Sequence, residues 1–400
     1  MSLIDTAVAL CAVGAEKILS NEIRKLGLKV MEGGFGQVRF KTDLQGLYRS
    51  LMALRTADRL LLEAVRFEAL DFDALFEGVR QGQWEDLVPP NHGLRVVKVR
   101  TNRSILAAET SIQAVVHKAA AERLCAKRGI SRLPEGRSGS AANEAELRVF
   151  VEKNQVSVLL DLSGDPLFKR GYRLRGGTAP LRETTAAAIV LYSGWRRKFP
   201  LYDPFCGSGT IAIEAAMYAW DIAPGLARHF ALEKLLIARK DVEQAVREEL
   251  LSKVDFSRLV RLGGSDSDGA LVEAARSNMK SAAAQAGGNA AGIHSHEPSF
   301  REISMEDAGP DFAPVEGDDP NGPRGFIITN PPYGRRLGDV ESAEKTYAQM
   351  ARLGRHFAGW HLSVITDHPG FESFFGKKAD SCREITNGAV RSYLYQYDSI

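Results

Sequence analysis

The sequence predicts an α/β protein in which a doubly wound domain with a mostly parallel sheet follows smaller α+β units. From about residue 166, short apolar strands alternate with helical patterns, the signature of a parallel sheet with crossover helices. Before that point strands and helices follow a different order, and two alternating strands meet across Lys153-Asn154. The 400 residues also exceed one core, because domains take roughly 100–200 residues each.

Val8–Cys11 has the apolar character of a strand, and Ile18, Leu19, Ile23 and Leu26 are spaced for a helix over Gly14–Leu26. The glycines of Glu32–Gly36 turn the chain into a strand at Gln37–Lys41. Asp43 is placed to cap a helix carrying Leu44, Leu47 and Leu51, and Leu60–Phe67 reads as a strand. The order β-α-β-β-α-β over residues 1–65 suggests a small α+β unit. Over 66–165, Leu94–Val99 is a strand, Thr110–Leu124 a helix and Arg128–Asn143 a loop. The hairpin then sets Leu147, Val149 and Val151 against Val156, Val158 and Leu160.

In 166–400 the predicted elements are helix Glu183–Ser193, strand Phe199–Asp203, helix Thr210–Trp220, strand Leu259–Gly263 and helix Gly269–Ala284. Strand Gly325–Thr329, a helix through Tyr347–Phe357, strand Leu362–Thr366 and strand Ala389–Tyr397 follow. Arg228–Asp255 is a charged, helical surface excursion, and Ala308–Arg324 a loop rich in Pro and Gly.

Hydrophobic residues are 44% and charged residues 26%, which excludes wholesale disorder and fibrous classes. No run approaches the roughly 18 apolar residues of a membrane span, and the N-terminus lacks a basic n-region with a cleavage pattern, so a cytoplasmic chain is expected. Cys11, Cys125, Cys206 and Cys382 stand apart, without a CxxC pair, so neither a disulfide framework nor a metal site is expected. Between Arg95 and Arg137 ten Lys/Arg face three Glu. Between Pro166 and Pro200 eight basic residues, including Lys169, Arg170, Arg173, Arg175 and Arg182, face Glu183 alone. Such excess marks either a polyanion footprint or a solvated basic face.

Two motifs carry chemistry. LYDPFCGSGTIAIEAA (201–216) is a strand, a glycine turn and a helix start. Without Cβ atoms, Gly207 and Gly209 permit a sharp turn and close approach of a ligand to the first helical N–H groups. There is no GK[ST] for a P-loop and no third glycine for the dinucleotide fingerprint. Asp203 at the strand end suits a cationic ligand. ITNPPYGRRL (328–337) ends an apolar strand in Asn330, Pro331, Pro332 and Tyr333. The two prolines remove donors and stiffen the segment, leaving carbonyl acceptors beside the Asn330 oxygen and a flat ring at Tyr333. Acceptors plus a stacking ring form a receptor for an exocyclic amine on a planar base.

DPFCGSGT followed by NPPY resembles the class I S-adenosylmethionine-dependent methyltransferases that modify exocyclic amino groups. The longer run FKRGYRLRGGTAPLRETTAAAIVLYSGW, with DPFCGSGTIAIEAAMYAWDIAPGL behind it, resembles the THUMP-domain RNA methyltransferases, nearest the bacterial 23S rRNA (guanine-N2)-methyltransferases. The likeness covers the whole chain. It implies a ferredoxin-like unit at 1–65, a THUMP RNA-binding domain at 66–165, and at 166–400 a Rossmann-like methyltransferase domain whose last strand is antiparallel. Some relatives carry a second methyltransferase domain; one such domain here implies a single activity.

The resemblance implies that Asp203, Phe205, Gly207, Gly209 and Thr210 surround the methionine part of the cofactor. It implies that Asp266, with Ser267, holds the ribose, although Asp268 stands close enough to take that role. The spacing departs from expectation: Gly209 to Asp266 is 57 residues, where a dinucleotide fold has about 20. Asp307 matches the residue receiving the adenine amine, and Pro180, Leu181 and Arg182 match a segment approaching the cofactor. The expected reaction is direct methyl transfer to guanine N2 at Asn330-Pro331-Pro332-Tyr333, with Lys169, Arg170, Arg173 and Arg175 on RNA. A tRNA guanine, an adenine N6 and a non-catalytic ribosome-assembly role are the alternatives.

Overall fold

The computed structural model describes residues 3–134, 143–174, 181–288, 298–309, 312, 324–333 and 339–400. The chain builds two seven-stranded sheets. The first contains β1 (Thr6–Cys11), β2 (Lys29–Gly34), β3 (Gln37–Lys41), β4 (Ala57–Glu68), β5 (Gly93–Asn102), β6 (Glu144–Glu152) and β7 (Gln155–Asp161). Their spatial order is β2-β3-β1-β4-β7-β6-β5, antiparallel except for β5–β6. Long β4 pairs with β1 through Leu62 and with β7 out to Glu68. A boundary at residue 65 therefore falls inside a strand, and both N-terminal units share one sheet.

The helices of this half lie on one face. Leu19 and Ile23, Leu47 and Leu51, Leu75 and Val79, and Ile112 and Val116 pack with Ala7, Ala9, Leu60, Leu62, Val149 and Val158 in one core. The opposite face carries only a small cluster of Val8, Leu61 and Leu159, with Leu10 and Phe150 against it. Asp43 caps its helix by accepting from Gly46 N at 2.7 Å. Lys153 and Asn154 take φ of 49° and 63°, the double left-handed turn that matches hairpin twist. A helix at Phe72–Arg80, capped by Asp71, was not in the sequence reading.

The second sheet contains β8 (Leu201–Asp203), β9 (Leu262–Asp266), β10 (Ser299–Glu302), β11 (Phe326–Thr329), β12 (His361–Thr366), β13 (Ser381–Asn387) and β14 (Val390–Tyr397). The order is β10-β9-β8-β11-β12-β14-β13. The first five run parallel, and β14 lies antiparallel between β12 and β13, as expected for the last strand. Strand order reverses between β8 and β11, the switch point where α/β ligands bind. The helix Thr210–Ala219 buries nearly every residue because it is packed on all sides.

Several boundaries moved. The strand expected at Leu259–Gly263 forms at Leu262–Asp266, with Leu259 left exposed. The helix expected through Phe357 ends at Met350 and tightens into a 3₁₀ turn, Ala351–Arg355. The charged insertion does not stand away from the body. Its helix Lys240–Leu251 packs on Leu44–Ala53, with Arg49 paired to Glu249 at 2.7 Å and Arg239 N donating to Tyr48 Oη at 3.3 Å.

Candidate active site

The ends of β8, β9 and β11 meet at one cavity of about 970 Å³, and both sequence motifs line it. Thr329 Oγ1, the last residue of β11, donates to Asp203 Oδ1 at 2.6 Å and so ties the strand before Asn330 to the strand before the glycine turn. Asp203 also accepts from Phe205 N at 3.1 Å, shaping the turn. Burial pushes the Asp203 carboxyl up to about 7 against the pull of these two bonds, and neighbouring Asp266 adds to the rise.

The two glycines of the turn differ in what they face. Gly207 has φ of +52° and no heavy atom within 4 Å of where a Cβ would stand; it lines the cavity, so its open side admits a ligand. Gly209 has φ of +84°, and a Cβ there would lie 2.9 Å from Ala275 Cβ and 3.3 Å from Ala275 Cα. Gly209 is not among the lining residues; it lets the turn pack on the helix Gly269–Ala284.

Asp266 ends β9 and lines the cavity with Ser267. Its two oxygens accept from Gly207 N (2.9 Å) and Asp268 N (3.0 Å). Asp268 instead caps the following helix, accepting from Ala270 N and Leu271 N, and does not line the cavity. Asp307 is turned away as well. Its Oδ2 accepts from Ser304 Oγ at 2.8 Å, and Met305 takes the lining position, because residues 304–307 fold into a tight turn that points the carboxylate outward. Phe205, Thr210 and Leu181 line the cavity.

Asn330, Pro331, Pro332 and Tyr333 all reach the cavity. Tyr333 Oη donates to Asn330 Oδ1. The buried Tyr347 donates its hydroxyl to the Pro332 carbonyl at 3.2 Å and lies 2.9 Å from Thr366 Oγ1, anchoring the double-proline segment to β12. The sequence reading missed Tyr347, since helical periodicity marks it only as core. It also missed Asn387, Gly388 and Ala389, the β13–β14 turn that walls the cavity, because the edge strand β13 is mostly half-exposed and was not recognised.

Two of the four basic residues assigned to RNA are internal. Arg170 is 2% exposed, lies 3.3 Å from Glu214 and donates to the carbonyls of Leu167 and Arg55. No phosphate reaches it; it neutralises a buried carboxylate. Arg173 donates to Glu183 Oε1 (2.9 Å), Thr210 Oγ1 (3.0 Å), Ser208 Oγ (3.3 Å) and the Leu181 carbonyl (3.1 Å). Its fork holds three walls of the cavity together and is spent there. Lys169 is exposed, paired with Asp165 at 3.2 Å. Arg175 and Pro180 lie outside the described residues.

Known proteins share this architecture. A family model described as RMKL-like, methyltransferase domain, matches residues 170–293 and 302–396, and one described as RlmL ferredoxin-like domain matches 6–61. YpsC of Bacillus subtilis, provisionally named an RNA methyltransferase, is 33% identical over 98% of this chain and 95% of its own length. The ribosomal RNA large subunit methyltransferase K/L of Cellvibrio japonicus is 34% identical over 97% of this chain; the chain spans about half of that relative, 50% of its length. Among solved structures SMU.472, provisionally named a methyltransferase and complexed with SAH, superposes with a TM-score of 0.83 at 33% identity, covering 100% of this chain and 99% of its own.

Proposed function

Since the chain belongs to the RMKL-like methyltransferase family, whose cofactor is S-adenosylmethionine, we propose that it methylates the exocyclic N2 amine of a guanine in 23S rRNA. The observation that carries this reading is the Thr329–Asp203 hydrogen bond, which joins the glycine turn and the Asn330-Pro331-Pro332-Tyr333 segment at one cavity. The rRNA named for the K/L relative supports the choice of RNA; we assign residues 66–165 to it as a THUMP unit and place the reaction in the cytoplasm.

The residues present suit the cofactor. Gly207 leaves an open approach, Asp266 offers lone pairs at the end of β9 for ribose hydroxyls, and Asp203 offers a carboxylate to a cationic centre. When bound, S-adenosylmethionine supplies an electrophilic methyl on sulfur. The chain's own work falls on the amine, whose lone pair is delocalised into the base. Asn330 Oδ1 and the Pro331 carbonyl accept its two N–H groups and favour the pyramidal, nucleophilic form. Asn330 Oδ1 has a second lone pair, so it serves the amine while Tyr333 Oη holds its direction. No side chain starts as a strong base; positioning and electrostatics supply the rate. The guanine must be unpaired or flipped to enter.

Mass spectrometry of rRNA and tRNA nucleosides from a deletion strain tests the substrate. Loss of one N2-methylguanosine from 23S rRNA is expected. Intact rRNA with a missing tRNA mark moves the substrate to tRNA, and a missing N6-methyladenosine moves it to adenine. Asn330→Ala should lower kcat about 10²–10³-fold, as for loss of one preorganised hydrogen-bonding group, with cofactor affinity kept.

A further inference from the structure

Beyond the catalytic cavity, and sharing Arg182 and Gly388 with it, lies a second cavity of about 990 Å³. It opens between the helix-free face of the N-terminal sheet and the catalytic domain. Arg59, Arg100, Arg148 and Phe150 line it from the sheet, and Phe168 and Arg182 from the other side. At the junction the Arg182 guanidinium lies over the Phe168 ring, 4.6 Å from its centroid, and 3.6 Å from Asp58. Gly388 has φ of +66°, and a Cβ there would come within 2.9 Å of Arg182 Nη2, so glycine at 388 leaves room for the guanidinium between the cavities.

The charge is uneven along this surface. Arg59 and Arg148 both pair with Asp161, at 2.6 and 3.2 Å, so two guanidiniums face one carboxylate. Arg100, opposite Phe150 in the β5–β6 register, is exposed and makes no ion pair among the described residues. The lining acids are Asp58, at the Arg182 junction, Glu152, which closes β6 four residues beyond Arg148, and Glu109, which opens the helix after β5. Phe35, at the β2–β3 turn, lines the same cavity and is 82% exposed.

We propose that this second cavity is an RNA subsite for the strand that adjoins the methylated nucleotide, with Arg100 toward its phosphates and Phe35 and Phe150 under its bases. The inference rests on the RNA reading above. A base turned into the Asn330 cavity remains joined to its neighbours, so their backbone must leave across a cavity wall. Arg182 supplies a wall shared with a surface that interleaves cations and aromatic rings, the composition that binds single strands by charge and stacking.

Filter binding of a mixed-sequence single-stranded oligoribonucleotide and of 23S rRNA to the full chain, across salt concentrations, tests it. Arg100→Glu should raise the dissociation constant about tenfold, the scale of one charged contact, and reduce the log–log salt slope by about 0.7. Phe150→Ala should weaken binding and leave the slope unchanged. Both variants should bind S-adenosylmethionine as the wild type does, and Lys17→Glu, exposed on the helix Glu16–Lys25 of the helix-covered face, should leave RNA binding unaltered. Wild-type RNA affinity in Arg100→Glu and Phe150→Ala overturns the subsite and leaves the proposed reaction standing. Equal weakening by Lys17→Glu overturns it too. A wild-type chain that takes up the cofactor yet binds neither RNA removes the RNA reading itself.

Discussion

The two seven-stranded sheets present opposite parts of themselves. In the catalytic sheet, β10, β9, β8, β11 and β12 run parallel, so helices return over both faces and only the strand ends remain open. Asp203, Asp266 and Thr329 end three neighbouring strands at that edge, where their hydrogen bonds converge. In the N-terminal sheet short antiparallel connections leave the helices on one side, and the other face stays free with Arg59, Arg148 and Phe150 on it. An edge gathers a few groups at one point, which suits the proposed methyl transfer to a single amine. A face spreads charge and rings over a length, which suits the proposed hold on an RNA strand. Topology decided which half could do which.

The sharpest way to probe this division uses two adjacent residues. Arg170 lies buried between the halves, its guanidinium against Glu214 and the Arg55 carbonyl, whereas Lys169 is exposed beside Asp165. Arg170→Glu would bury a second carboxylate beside Glu214, and a loss of about 3–5 kcal/mol is expected, enough to prevent folding or lower the melting temperature steeply. Lys169→Glu should stay within about 0.5 kcal/mol. Urea denaturation of both variants checks this; similar midpoints would mean that Arg170 is not the buried link between the halves.

A next-largest effect separates the two glycines of the catalytic edge. Gly209→Ala must hold a left-handed backbone and overlap Ala275, for about 2–4 kcal/mol of lost stability. Gly207→Ala meets no neighbour and should cost about 1 kcal/mol, yet its methyl would enter the cavity and weaken cofactor binding. Thermal melts paired with calorimetric titration of S-adenosylmethionine distinguish packing from contact. Equal loss of cofactor affinity without destabilisation in Gly209→Ala would return that glycine to the binding surface.

How much of this was legible in the sequence follows from the range of the forces involved. Local signals worked: Asp43 as a cap, Lys153-Asn154 as a turn, and the glycine turn after Asp203 are each fixed within a few residues. Asn330 through Tyr333, which line the cavity, stood out because two prolines and an aromatic after an apolar strand have few other uses. Arg170 and Arg173 were misassigned because charge in a sequence carries no information about burial: Glu214 pairs with Arg170 from 44 residues away, and Arg173 turns inward to Glu183 although that acid is only 10 residues on. Asp307 failed for a local reason, since Ser304 three residues earlier takes up its carboxylate. The open face of the first sheet was hidden too, because β5 and β6 pair residues far apart in the chain, Arg100 with Phe150 among them.

Asp266 and Asp268 offer a smaller contrast of the same kind. Asp266→Ala should weaken cofactor binding by about 1.5–3 kcal/mol, the worth of hydrogen bonds to a charged acceptor. Asp268→Ala removes a helix cap, for about 1 kcal/mol of stability with cofactor affinity retained. Titration calorimetry that found the larger affinity loss in Asp268→Ala would exchange the two roles.

The smallest expected effect concerns the proton on Asp203. Its carboxyl titrates at about 7 in the folded chain against 3.8 as the ordinary value, because burial disfavours the charge. The proton therefore favours the fold: this contribution is complete below about pH 4, is lost as pH rises toward about 7, and changes little above that. A cationic cofactor centre nearby reverses the preference and favours the carboxylate. Cofactor binding near pH 7 should then release a fraction of a proton, and affinity should rise between about pH 6 and 8 before levelling. Calorimetric titrations in two buffers of different ionisation enthalpy measure that release directly. Asp203→Asn should abolish it, because the amide cannot titrate; proton release that persisted in this variant would place the responsible group elsewhere and leave Asp203 with the Thr329 bond alone.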